Sequence, residues 1–212
     1  MKGNQLLNII LAIAIVILSL QLAFKSTTNT QNKANVKNNS EESTIDIIHK
    51  RKSVRHFTNQ KIEKHLLETV IKAGMAAPTA INIQPWAFIA IDDRQTLDEL
   101  GEVLPYAKMI FDSPAAIVVC GDLNKAYQKK PEYWIQDCSA ATQNILLAAE
   151  SLGLGAVWTA AYPEMDRVEH VQKILNLPES IIPLNVIPIG YSTGQDKPKD
   201  KWKPENLHWQ KW

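Results

Sequence analysis

Little in this chain announces catalysis by the usual signs. It has only two cysteines in 212 residues, Cys120 and Cys138, neither closely spaced nor flanked by further ligands. A disulfide between them is open, and buried free thiols are the simpler expectation. The histidines at 49, 56, 65, 170 and 208 form no HExxH or comparable spacing, so no metal is expected. No Gly-rich loop precedes a helix, which removes a P-loop or dinucleotide fingerprint from consideration. No Ser-His-Asp, Cys-His or paired-carboxylate constellation is apparent, so no side chain is assigned a catalytic role. A surplus of charge of either sign is missing too. The net charge of +1 argues against a nucleic-acid partner, which would ordinarily require a strongly basic face.

What is present begins with a long apolar run. Leu6 to Phe24 contains no Asp, Glu, Lys or Arg and is interrupted only by Asn8, Ser19 and Gln21. A run of about 20 apolar residues suffices to cross a bilayer as a helix. Residues 1–24 therefore read as a single-pass transmembrane anchor. A cleaved signal segment with Lys2 as its positive start is the competing reading, against which no clean A-x-A site follows. Lys2 on one side faces Lys25, Lys33 and Lys37 on the other, which leaves the orientation open. Residues 25–42 are rich in Asn, Thr, Ser and Lys and read as a flexible linker, and residues 43–212 as the folded domain.

The most concentrated chemistry lies at the start of that domain. Arg51-Lys52-Ser53-Val54-Arg55 gathers three cations and a hydroxyl. In extended backbone Arg51, Ser53 and Arg55 would point the same way, and the arginine fork donates two parallel bonds to a phosphate. A solvated basic turn after a helix is the bland alternative. Further on, Ala77 to Trp86 places two prolines around small and amide residues and reads as an ordered loop. Its Asn82 and Gln84 offer the donors and acceptors that reading a heterocycle's edge requires.

The remaining elements follow from periodicity. Helices are expected from Thr44 to His49, with Ile45, Ile47 and Ile48 packing, from Ile62 to Met75, near Thr96 to Val103, from Tyr133 to Leu152 and from Asp166 to Leu175. Strands are expected over Trp86–Asp92, Ala115–Gly121, Ala156–Ala160 and Pro183–Gly190. The last is interrupted by proline and belongs at an edge or after a bulge. The Tyr133–Leu152 helix is apolar around so much of its circumference that it must be buried. Trp202, Trp209 and Trp212 end a lysine-rich tail that should pack on another surface.

Taken together, the 51–55 strip, the 77–86 loop, Gly153-Leu154-Gly155 with Trp158-Thr159, and Ile189-Gly190-Tyr191 fall in the order seen in the nitroreductase family. The sequence from about Ile45 to Trp212 resembles that family's FMN-dependent oxidoreductases. LPYAKM, YWIQDCSAATQN and GLGAVWTAAYP are similar to a compact bacterial branch of it. The 6–24 run lies outside the resemblance. The resemblance implies an α+β fold, with a central, mostly antiparallel sheet flanked by helices, and an intertwined homodimer with FMN shared between the copies. It implies that Arg51, Ser53 and Arg55 hold the phosphate and ribityl end, with Lys52 beside them. Pro78, Thr79 and Asn82 would approach the flavin from the other subunit. Trp158, Thr159 and Ala160 would line the isoalloxazine, and Lys199 and Lys201 would close on the phosphate.

The activity so implied is ping-pong hydride transfer from NADPH or NADH through FMN to a nitroaromatic, a quinone or an activated alkene. A membrane-tethered flavin-binding protein without turnover, acting as store, sensor or scaffold, is the rival. The short Asp122–Glu132 stretch leaves little room for the extra lid of relatives that dehalogenate. A signal anchor usually leaves its C-terminal domain outside the cytoplasm, whereas nicotinamide cofactors are kept inside, so the side of the membrane stays open.

Overall fold

The apolar stretches pair into one antiparallel sheet. In the computed structural model, which describes residues 43–212 and Gln21, Thr44–Trp212 forms one compact unit. The apolar run and the linker lie outside the described residues apart from Gln21. Among the described residues, no helix is long and apolar enough to cross a membrane.

Strands β1 (Trp86–Ile91), β2 (Ala115–Asp122) and β5 (Ile181–Gly190) lie side by side, and two short strands, β3 (Gly155–Ala156) and β4 (Thr159–Ala160), pair with the far side of β5. Over residues 43–212 the α-helices are α1 (Thr44–Lys50), α2 (Lys64–Met75), α3 (Arg94–Val103), α4 (Pro131–Ser151) and α5 (Met165–Ile174); α1 meets the long helix α4, and the others cover the sheet. Alternation along β2 divides the core. Ile117 and Val119 join Leu67 and Val70 of α2 and Cys138, Ala141 and Ile145 of α4. Ala116 and Val118 face the other way, onto Leu97 and Leu100 of α3 and Val168 and Val171 of α5. Covered on both faces, β2 is buried throughout, which explains its unbroken apolar run. The antiparallel α+β architecture matches the expectation.

Of the two placements expected for β5, the edge is excluded, because β2 pairs on one side and β3 and β4 on the other, and the bulge is found. Pro183 is accommodated by a register shift, the ladder passing from Val119↔Asn185 to Cys120↔Pro183. Pro188 has no N–H to donate, and opposite it the expected 156–160 strand breaks. The pairs Ala156↔Ile189 and Thr159↔Val186 flank the gap, and the Val157 amide still donates to the Pro188 carbonyl at 3.3 Å. Trp158, in the gap, is 36% exposed.

α1 fully buries none of its residues: Ile47 is half-buried where the helix meets α4, whereas Ile45 and Ile48 stay exposed, so the expected packing is made only in part within this unit. The tail tryptophans Trp202, Trp209 and Trp212 are exposed as well. Cys120 and Cys138 are free and buried, and the Cys138 thiol donates to the Cys120 carbonyl at 3.4 Å. Burial pushes the Cys120 thiol up to about 12 and raises that of Cys138 also, which disfavours the thiolate in both.

Gly155 sets how closely the basic strip approaches the sheet. A Cβ there would come within 2.6 Å of the Val54 side chain, which is fully buried. Replacing Gly155 with Ala should cost about 1–3 kcal/mol, the usual range for overpacking. A fall in the urea midpoint of the variant checks this, and an unchanged midpoint would mean that Val54 can move aside.

Candidate functional site

The strip that follows α1 is not a free turn. Ser53 pairs with Ala156 of β3 in a parallel bridge, and the Val54 amide donates to the Ala156 carbonyl at 3.1 Å. Val54 points into the core while Ser53 and Arg55 face outward, as extended backbone requires. Beyond it, Phe57 bridges to Ser192, the Thr58 amide donates to the Tyr191 carbonyl at 2.8 Å, and the Thr193 amide donates to the His56 carbonyl at 3.0 Å. The strip is therefore laced to the chain that leaves β5.

Asp196 completes the lacing. Its carboxylate accepts from the Arg55 amide at 2.9 Å and the His56 amide at 3.2 Å, and it meets His56 Nδ1 at 3.2 Å. Burial alone would raise the Asp196 pKa, but the bonds from the Arg55 amide and from the His56 ring and amide outweigh it, so the pKa is lowered.

This pairing brings the tail lysines against the strip. A cavity of about 560 Å³ is lined by Lys52, Ser53, Arg55, Gln195, Asp196, Lys197, Pro198, Lys199 and Lys201. A second, also about 560 Å³, adjoins it across Pro198, Lys199 and Lys201 and adds Ile48, His49, Arg51, Gln143, Trp202 and one acid, Asp200. Lys52 is ion-paired with Glu150 of α4 at 3.0 Å. Among the described residues, Lys197, Lys199 and Lys201 have no carboxylate partner. The one acid lining the first cavity, Asp196, is turned to backbone amides. The net surplus of cations beside a hydroxyl suits a phosphomonoester, which carries about two negative charges.

The other predicted residues line neither cavity. Pro78 and Asn82 are exposed and Thr79 is half-buried, around a single 3₁₀ turn over Ala80–Asn82. Trp158 and Ala160 are exposed beside β5. Thr159 is buried, and its hydroxyl donates to the Val186 carbonyl at 2.6 Å. That hydroxyl's proton is committed to the sheet, which leaves its oxygen as an acceptor only.

Comparison with known proteins decides the family. Residues 48–105 and 102–191 match the nitroreductase family. The chain belongs to it. A relative from Methanothermobacter thermautotrophicus, provisionally named NADH dehydrogenase/NAD(P)H nitroreductase, is 42% identical over 168 residues, which cover 79% of this chain and 87% of that protein. A solved structure from Parabacteroides distasonis with the same provisional name superposes with a TM-score of 0.76 at 49% identity, covering 80% of this chain and 98% of the other. An FMN-dependent nitroreductase from Clostridium difficile gives a TM-score of 0.73 at 27% identity, covering 79% and 99% respectively.

Within this family member, the strip and the tail line two adjoining cavities. Arg51 and Arg55 line adjacent cavities rather than one, with Lys199 and Lys201 common to both. Lys197 and Asp196 escaped the sequence reading. Lys197 could have been found, since it begins the alternating Lys197, Lys199, Lys201, Lys203 series. Asp196 could not, because its partners lie 141 and 140 residues away.

The lowered pKa fixes the sign of an acid effect. Asp196 contributes stability that is fully present above its unfolded-state pKa and is lost as pH falls through its lower folded-state pKa. Unfolding free energy measured against pH should therefore fall below the ordinary aspartate range. Asp196→Asn should lack that component and lose about 1–2 kcal/mol at neutral pH. An unaltered acid limb in Asp196→Asn would show that the lacing does not depend on this charge.

Proposed function

We propose that two copies of this chain hold FMN between them and pass hydride from NAD(P)H to an oxidised acceptor, with reductant and acceptor taking turns in a ping-pong cycle. The chain is an FMN-dependent NAD(P)H oxidoreductase. The observation that carries the site is the meeting of the 51–55 strip with the Gln195–Lys201 tail around one cation-rich cavity. On this reading Arg51, Ser53, Arg55, Lys199 and Lys201, joined by Lys197, hold the phosphate and ribityl end. Lys52 braces the strip through Glu150. Lys201 brings charge without the arginine fork, so its grip is less directional.

FMN, when bound, supplies the hydride chemistry, and the chain supplies binding, orientation and electrostatics. That division accounts for a site without an assigned acid, base or nucleophile. Trp158 and Ala160 line the ring by their exposed surfaces, and Thr159 contributes backbone and no hydroxyl donor. Pro78, Thr79 and Asn82 serve the flavin nearer the other copy. Support for the homodimer comes from apolar surface left uncovered on one copy: Ile45 and Ile48 on α1, and Trp202, Trp209 and Trp212 on the tail. The acceptor is a flat, electron-poor molecule: a nitroaromatic, a quinone or an activated alkene.

Residues 6–24 attach the chain to a membrane as a single-pass anchor, a reading supported by the composition of that run alone. Release of the chain from membranes by salt washing would end it. If the chain stays, protease added to intact and then lysed cells assigns the side.

Arg55→Ala should weaken FMN binding by about tenfold or more, the cost of losing a charge-assisted contact to phosphate. Titration by flavin fluorescence measures this, and wild-type affinity in the variant would remove Arg55 from the site. Anaerobic mixing with NADPH or NADH should bleach the flavin, and an acceptor should restore its colour. A flavin that stays oxidised with both would favour a passive binder.

A further inference from the structure

The loop between α2 and β1 is strained. Ile81, Asn82 and Gln84 all have positive φ, at 46°, 58° and 52°, and none is glycine. Left-handed backbone costs an L-residue roughly 1–2 kcal/mol, and a β-branched residue such as Ile81 is especially ill suited to it. Something outside the loop must hold that shape. Most of its bonds are internal. The Gln84 amide donates to Thr79 Oγ1 at 3.1 Å, Gln84 Nε2 donates to Asn82 Oδ1 at 3.1 Å, and the Asn82 and Ile83 amides close tight turns onto Thr79 and Ala80.

One bond over Thr79–Gln84 reaches out of the loop among the described residues. The Ala80 amide donates to Asp137 Oδ1 at 3.0 Å across 57 residues of sequence. Asp137 stands on α4 between Trp134 and Cys138 and is only 5% exposed. Its other oxygen, Oδ2, is buried with no partner among the described residues. Burial pushes the Asp137 pKa up, opposed by the bond from the Ala80 amide. A buried carboxyl with a single partner is an expensive way to build a helix face, which an alanine would complete at no such cost. What that carboxyl accomplishes is the placement of Ala80, and with it the neighbouring Thr79 and Asn82.

We propose that Asp137 is a positioning residue for the flavin, fixing the Thr79–Gln84 loop so that its polar groups meet the isoalloxazine edge. The proposal rests on the FMN reading above. Asp137 does not touch the cofactor itself; it acts through the Ala80 amide. The strain in the loop means that loss of this one bond lets the backbone relax away from the displayed form.

Two variants of the full chain test this, Asp137→Ala and Asp137→Asn. Asparagine keeps an acceptor for the Ala80 amide, and alanine does not. Hydrogen exchange of the apo chain, followed on peptides covering 77–86, should quicken by about tenfold in Asp137→Ala, while peptides from β2 and β5 keep wild-type rates. Binding of FMN should weaken by a similar factor, and the midpoint potential of bound FMN should shift. Asp137→Asn should return the exchange and the affinity to near wild type. Unchanged exchange and flavin properties in Asp137→Ala would overturn the assignment. So would faster exchange throughout the sheet, which would mark Asp137 as a general structural residue. A wild-type chain that binds no FMN would overturn the cofactor reading and this proposal together. A wild type that binds FMN while the alanine variant behaves identically would overturn the role of Asp137 alone.

Discussion

Gathering like charges around one hollow is unfavourable until a counter-charge arrives, and the site depends on how that repulsion is contained. Strip and tail are both basic, and without restraint they would separate. Backbone bonds between Thr58 and Tyr191 and between Thr193 and His56 hold them together, and the Asp196 carboxylate adds an anion where the two meet. Because that carboxylate is spent on backbone amides, the lysines beside it are left for a ligand. Pre-organisation of this kind is settled on folding and so does not weigh against binding.

The same logic runs back to the sheet. The strip takes its place from Ala156, Ala156 from its pairing with Ile189, and Ile189 from a strand hydrogen-bonded on both sides. Close approach at Gly155 brings Val54 into the core and leaves Ser53 and Arg55 outside. Pro188 breaks the ladder a few residues further on, and Trp158 stands at the break. The basic strip and the exposed Trp158 indole are thus placed by one strand, β5.

Much of this could be read in the residues, because it is local. The long helix was expected over Tyr133–Leu152 and spans Pro131–Ser151, and the buried strand expected over Ala115–Gly121 extends to Asp122. The basic strip announced itself by density of charge. What could not be read depends on partners distant in sequence. Pro183 and Pro188 signal either an edge or a bulge when taken alone, and the register shift and the gap opposite Pro188 show how a central strand accommodates them. Thr159 looks like a free site hydroxyl until its bond to Val186 is seen. Asp137 is one of several polar residues along its helix, and what sets it apart is an amide on another element.

The uneven placement of the six tryptophans has a spectroscopic consequence. Trp86 and Trp134 are buried, whereas Trp202, Trp209 and Trp212 stand in solvent within the last eleven positions of the chain. Intrinsic emission is therefore a sum of blue and red components from different regions, and the red part belongs largely to the C-terminus. Any event that covers the end of the chain, such as association of two copies, would be seen without a label as a blue shift that dilution reverses.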